Sequence, residues 1–136
     1  MSEGKTRTAV DRLYAAYFVG DSEGMLATLS DDVEVRFLGR GTYRGIEAAR
    51  KFLTSNTGML KELDFRIRRL IVDGEWAAAV WDEDATTIHG AAYANHGVDV
   101  FRVVDGSIAI LHENNDVVAH RAAFGRTSAD LPGEDR

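Results

Sequence analysis

The chain contains no cysteine. That removes disulfides, thiolate nucleophiles and zinc–thiolate sites, and it accords with a reducing cytoplasm. Positive charge is in deficit: 16 Lys and Arg stand against 22 Asp and Glu, a formal net charge of −6. Nucleic acid is therefore not an expected partner, because phosphate binding relies on a basic surplus. No apolar run approaches the roughly 20 residues that span a bilayer, and the opening MSEGKTRTAVDRL lacks the apolar stretch of a signal peptide. Proline occurs once, in the segment after Arg126. What is present is ordinary for a soluble globular protein, with 45% hydrophobic and 28% charged residues in a chain of 136. The expectation is a cytoplasmic protein with no membrane association. A single domain should cover residues 1–125, followed by a flexible tail over 126–136 that has few anchors.

Val10, Leu13, Tyr14, Tyr17 and Phe18 fall at i, i+3, i+4, i+7 and i+8, the apolar stripe of a helix starting near Thr6 or Thr8 and ending near Gly20. Asp21 or Ser22 can cap a second, short helix carrying Met25, Leu26 and Leu29. Val33, Val35 and Phe37 alternate with Glu34 and Arg36, a strand period that Gly39-Arg40-Gly41 breaks. A third helix follows Gly45, with Ile46, Ala49, Phe52 and Leu53 on one side. From Leu63 onward the pattern is that of strands: about 63–72, 75–87, 91–104 and 107–118. Val72-Asp73-Gly74 and Val104-Asp105-Gly106 repeat one turn chemistry, read as a shared hairpin geometry. Helices first and an antiparallel meander after them predict an α+β domain.

The stretch from Ala91 to Asp116 is the most informative. Asn95, Asp99, Glu113 and Asn115 recur among apolar residues, and both faces of the hairpin read as mostly apolar. Carboxylates inside such a sheet are costly unless paired, hydrogen-bonded or protonated. Register decides which of them meet. A two-residue Asp105-Gly106 loop pairs Val104 with Ser107 and puts Asp99 beside His112. A three-residue loop with Gly106 left-handed, the favoured alternative, puts Asp99 opposite Leu111, Gly97 opposite Glu113 and Asn95 opposite Asn115, with Asp99 and Glu113 on one face.

Taken together, the helical Tyr14-x-x-Tyr17 ending in Gly20-Asp21, Asp31-Asp32-Val33, Tyr43-Arg44-Gly45, Asn95-x-Gly97-Val98-Asp99-Val100-Phe101-Arg102, Asp105-Gly106-Ser107-Ile108 and Glu113-Asn114-Asn115-Asp116 resemble the nuclear-transport-factor-2-like superfamily. Within it they are similar to the SnoaL-like polyketide cyclases and ketosteroid isomerase relatives. The resemblance implies a cone: three N-terminal helices packed on a curved, mainly antiparallel sheet, a deep pocket, and usually a homodimer. It implies pocket contacts to a small hydrophobic molecule from Tyr14, Tyr17, Phe37, Asn95, Phe101, Leu111 and Asn115. Asp99 falls where ketosteroid isomerase has its protonated Asp, one of that enzyme's oxyanion donors. The isomerase Tyr position lands on Leu13, one residue before Tyr14, and its base position on Phe37, which argues against steroid isomerisation by that route. Against limonene epoxide hydrolase, Asp82 and Glu113 occupy the two acid positions, while Val80 stands at the Arg position and Val35 and Phe37 at the supporting Tyr and Asn positions.

Asp82, Asp99 and Glu113 are thus the expected catalytic groups. Carboxylates crowded into an apolar cavity do not all ionise, so one can donate a proton while another accepts it. The bland alternative is that each pairs with an Arg or caps backbone amides. His89, His96, His112 and His120 lack the spacing of metal sites, so neither a metal nor another cofactor is expected. Gly39-Arg40-Gly41 is not a phosphate loop. Trp81 is expected at the dimer side or solvent edge. The function expected is a cofactor-independent cyclase, isomerase, dehydratase or hydrolase acting on a hydrophobic substrate. The competing expectation is a non-catalytic dimeric ligand-binding or interaction domain.

Overall fold

The computed structural model describes residues 2–56 and 58–124. In chain order the elements are helices α1 (Ser2–Phe18) and α2 (Ser22–Leu26), strands β1 (Leu29–Phe37) and β2 (Gly41–Arg44), helix α3 (Ile46–Asn56), strands β3 (Leu60–Asp73), β4 (Trp76–Thr87), β5 (Ala92–Val104) and β6 (Ser107–Asn115), and helix α4 (Val117–Phe124). The expected tail at 126–136 lies outside the described residues. The six strands form one curved open sheet in the order β2-β1-β6-β5-β4-β3. All neighbours pair antiparallel except β1 and β6, which run parallel. The α+β class and the mainly antiparallel sheet were legible in the sequence.

Helix α1 buries Thr6, Ala9, Val10, Leu13, Tyr14 and Ala16 against the concave face. Asp21 caps α2, its carboxylate accepting from the Gly24 amide at 2.9 Å. On α3, Ala49, Phe52 and Leu53 are fully or almost fully buried. The inward residues of the sheet alternate as a pleat requires: Val33, Val35 and Phe37 on β1, Ala77, Ala79, Trp81 and Glu83 on β4, and Tyr93, Asn95, Asp99, Phe101 and Val103 on β5 are all buried.

Three local expectations are corrected and one is extended. Helix α1 begins at Ser2, a turn or more earlier than expected. Gly39-Arg40-Gly41 does break the first strand, which ends at Phe37, and a short strand not foreseen there, β2, returns along β1 with Phe37 opposite Gly41. The last strand stops at Asn115 and a fourth helix follows. The β-branched pair Val117-Val118 reads as strand, but Asp116 Oδ1 accepts from the Val118 and Ala119 amides at 3.1 and 3.2 Å and caps a helix there. Finally, the two Asp-Gly turns differ. Both loops hold two residues, yet at the first Asp73 still pairs with Trp76 and Gly74 opens the loop with φ 60°. At the second, Asp105 and Gly106 are the loop, at φ 51° and 82°. Positive φ at both positions is the mark of a type I′ hairpin.

That second hairpin sets the site. Val104 pairs with Ser107 and Val103 with Ile108, but Arg102 pairs with Ile110, so Ala109 is an extra residue. The bulge shifts every later pair by one and places Asp99 directly opposite Glu113 and Gly97 opposite Asn115. The two carboxylates do share a face. The cause is a two-residue loop followed by a bulge at Ala109, and not the three-residue loop.

Candidate functional site

Between the helices and the concave face lies an open cavity of about 220 Å³. Tyr14 and Tyr17 reach it from α1, Phe37 from β1, Phe65 from β3, Trp81 and Glu83 from β4. Tyr93, Asn95 and Asp99 line it from β5, Glu113 and Asn115 from β6, His120 and Phe124 from α4.

Asp99 is held from two sides in it. The residue is 6% exposed. Its Oδ2 accepts from the Tyr14 hydroxyl at 2.6 Å and its Oδ1 from the Trp81 indole N–H at 2.9 Å. Burial pushes the Asp99 carboxyl up, and the two donors oppose that push by favouring the ionised form. Tyr14 is fixed in turn, edge-on to Phe101 at 5.8 Å between ring centroids and stacked on Phe65 at 5.8 Å. Burial first, and then the neighbouring Asp99 charge, hold the Tyr14 phenol well above its ordinary range, so it keeps its proton.

Glu113, across the strand pair, opens partly to the cavity. Enclosure of its carboxyl raises it well above the ordinary range, the charges of Asp99 and Glu83 add to that, and Arg40 opposes. Arg40 itself is buried, its guanidinium 5.8 Å from the Phe37 ring and 5.7 Å from that of Phe52. With two donors on Asp99 and a cation only partly offsetting the enclosure of Glu113, the proton shared by this pair resides on Glu113. Such neighbours titrate as a pair. Glu83 is a third buried carboxyl, 6% exposed, and burial followed by Asp99 and Asp84 pushes it up to about 7.

Asn95 is occupied structurally. Its amide N–H₂ donates to the Tyr93 hydroxyl at 2.7 Å, Asn115 Oδ1 at 3.3 Å and the Asp116 carbonyl at 3.4 Å. Its Oδ1 accepts from the His96 and Asp116 amides at 2.7 and 2.9 Å. It stitches β5 to the start of α4 and has little left for a ligand. Asn115 donates onward to the Leu38 carbonyl at 3.3 Å.

Of the residues expected at the site, Asp99, Glu113, Tyr14, Tyr17, Phe37, Asn95 and Asn115 line the cavity. Phe101 and Leu111 sit fully buried in the core and are absent from the wall. Asp82 does not join them. It projects from the opposite face of β4, bonded to Arg66 Nε at 2.5 Å and Arg68 Nε at 2.7 Å, and these partners draw its carboxyl below the ordinary range. His112 likewise lies on that face, 2.7 Å from Glu34 Oε2. Trp81 corrects the expectation made of it: it is buried in the cavity wall, stacked on Phe65 at 5.1 Å. Sequence reasoning missed Glu83, Trp81, Phe65, Tyr93 and His120. The signal for the first two was the phase of Ala77-Ala78-Ala79: once the outer alanines face inward, the pleat carries Trp81 and Glu83 inward and Asp82 outward.

This combination, a curved sheet closed by N-terminal helices with acids on its concave face, has relatives. A sequence profile described as SnoaL-like domain matches residues 10–111. The chain belongs to the SnoaL-like domain family. Solved structures of similar shape support the assignment of the fold. An NTF2-like protein of unknown function from Burkholderia pseudomallei K96243 has TM-score 0.80 and 20% identity, covering 90% of this chain and 98% of the other. An LEH-like epoxide hydrolase of M. tuberculosis has TM-score 0.75 and 20% identity, covering 90% and 91%. TerC, in a structure co-crystallized with polyporic acid, has TM-score 0.77 and 21% identity, covering 88% and 97%. At such identities these neighbours speak for the SnoaL-like fold alone. No curated protein matches the chain. None of the helices among the described residues is long and apolar enough to cross a membrane.

Proposed function

We propose that this SnoaL-like domain is an acid–base enzyme needing no cofactor, acting on a small hydrophobic substrate that carries a carbonyl or an epoxide. The observation that carries the reading is the cross-strand pair of Asp99 and Glu113 on the cavity wall, with Tyr14 and Trp81 both donating to Asp99. Asp99, which its two donors make the more readily ionised of the pair, is the base. Glu113, held protonated, is the acid. With a carbonyl substrate, Asp99 takes the proton from the carbon next to the carbonyl while Glu113 delivers one to the oxygen, giving an enol. Return of a proton to a different carbon isomerises the substrate, and attack of the enol carbon on a second carbonyl closes a ring. With an epoxide, Glu113 protonates the ring oxygen and Asp99 deprotonates the attacking water. Fold neighbours that include an epoxide hydrolase are in keeping with this range.

The test is deuterium uptake at the acidic carbon of β-tetralone in D₂O, followed by proton NMR, with styrene oxide hydrolysis in parallel. Turnover above background is expected in at least one assay, lost in Asp99→Asn and in Glu113→Gln. Turnover that survives both substitutions defeats the assignment. A second reading, a ligand-binding domain without turnover, draws on the fact that both Asp99 oxygens are already hydrogen-bonded. It predicts binding of such molecules with neither reaction.

The outer face of the sheet supports a further part of the reading, a homodimer. Ala78, Val80, Val98, Val100 and Ile110 form a half-buried apolar centre there, bordered by the Arg66–Asp82–Arg68 ion pairs and by Arg102 with Glu75. Sedimentation of Val98→Glu as a monomer, beside a dimeric wild type, is the expected result, and a monomeric wild type removes the dimer. The cysteine-free chain suits a reducing cytoplasm.

A further inference from the structure

Glu83 has no task in the chemistry proposed for Asp99 and Glu113. It is buried on the cavity wall, and its Oε1 has no hydrogen-bond partner among the described residues. An acceptor enclosed without a donor is rare in folded proteins, and it becomes intelligible where a ligand completes it. Its surroundings are largely aromatic. Phe65 is its cross-strand neighbour on β3, and Trp81, two residues earlier on β4, faces the same way. Phe65 stacks on Trp81 at 5.1 Å and meets Tyr17 edge-on at 5.2 Å. On the other side its partner is Asn95, whose amide is already taken by Tyr93, Asn115 and Asp116. Tyr93, accepting from Asn95, still has its own hydroxyl proton to give. The two nearby guanidinium groups of β3, Arg66 and Arg68, are committed to Asp82 on the opposite face.

We propose that Glu83 anchors a second recognition site in this cavity, one that takes a hydrogen-bond-donating group, a hydroxyl or a protonated amine, carried on an aromatic ligand body. The carboxylate supplies the acceptor, and Phe65, Trp81 and Tyr17 supply ring faces for the body and, for an ammonium, cation–π contact. Asn95, opposite Glu83, lies four residues from Asp99 along β5, roughly 13 Å of strand. The ligand therefore spans two polar points, a donor at Glu83 and a second polar group at Asp99 and Glu113. Anionic ligands are disfavoured, since four acidic side chains and one lysine line the cavity. The donor site stands whether or not Asp99 and Glu113 perform catalysis.

The test uses four probes of one shape and no reactive carbonyl: naphthylmethanol, naphthylmethylamine, methylnaphthalene and naphthoate, titrated calorimetrically at pH 8. At least one donor probe is expected to bind about tenfold more tightly than methylnaphthalene, with naphthoate weakest. Preference for the amine identifies an ammonium site and preference for the alcohol a hydroxyl site. Glu83→Gln should bring the donor advantage to about threefold or less, while Asp99→Asn leaves it in place. In the wild type the amine's advantage should also shrink between pH 8 and pH 5 as Glu83 takes up a proton, a readout that needs no variant to fold. Equal binding of donor and methyl probes overturns the site. So does an advantage that survives Glu83→Gln, one that disappears in Asp99→Asn, or an amine advantage that is level across that pH range. The deuterium-exchange assay answers separately for Asp99 and Glu113, so either proposal can fail alone.

Discussion

Replacing Glu83 by Gln should make the protein more stable at pH 8 and leave it almost unchanged at pH 4. Burial lifts this carboxyl from 4.5 to about 7. A folded state that holds its proton more tightly than the unfolded chain loses stability as pH rises between those values, and the full penalty is present above the upper one. At 1.36 kcal/mol per pKa unit the penalty at pH 8 is about 3 kcal/mol. Gln keeps the shape and carries no charge, so it removes that penalty. For a domain of this size the gain corresponds to a rise in Tm of about 10 °C. Below pH 4 the carboxyl is protonated in both states and the two proteins should melt together. The assay is a series of circular-dichroism melts of both proteins between pH 4 and pH 8, read as the difference in Tm at each pH. A difference that stays flat with pH, or a variant that is less stable at pH 8, refutes the reasoning, because it would mean that an ionised Glu83 is well paired in the folded protein.

Other substitutions probe the rest of the wall. Tyr14→Phe removes one of two donors that oppose the upward push of burial on Asp99, so the alkaline-rising limb of the exchange rate should move up by about one pH unit or more; an unchanged pH–rate profile excludes Asp99 as the base. Gly97→Ala brings a Cβ to 1.9 Å from the Asn114 carbonyl oxygen and 2.8 Å from Trp81 Cζ2. The backbone clash should cost about 3 kcal/mol or more in chemical denaturation, and displacement of Trp81 should reduce exchange in whatever fraction folds. Asp82→Asn should leave turnover within about twofold of wild type, a bound of about 0.4 kcal/mol, because the group lies on the far face. Its partners lower its carboxyl, so the stability it contributes is present above the ordinary carboxylate range and lost as pH falls through the lowered value. Melts should therefore differ from wild type at neutral pH and converge in acid.

Much of the frame could be read from residue order alone. The stripe of Val10, Leu13, Tyr14 and Tyr17 has one solution, a helix with that side inward, and the alternation at Val33, Val35 and Phe37 likewise fixes a strand and its buried face. Local chemistry of this sort is carried by neighbours within a few residues, which is why α1, α2, α3 and the meander were predictable. It misled where two local signals competed, as at Val117-Val118, where a capping Asp outweighs β-branched residues.

The site was decided at longer range. A carboxylate's meaning depends on which face of a strand it takes, and on β4 the sequence offers Asp82 and Glu83 side by side. Only the packing of Ala77 and Ala79 beneath the helices sets the phase that sends Glu83 inward, and only the guanidinium groups of Arg66 and Arg68 across the strand pair neutralise Asp82 outside. The meeting of Asp99 with Glu113 depends likewise on one extra residue at Ala109, which no local rule placed. By itself the sequence determined that this is an α+β domain with acids on an otherwise apolar hairpin. Tertiary structure decided which acids face one another, because a shift of a single residue in a pleated sheet exchanges the cavity for the outer surface.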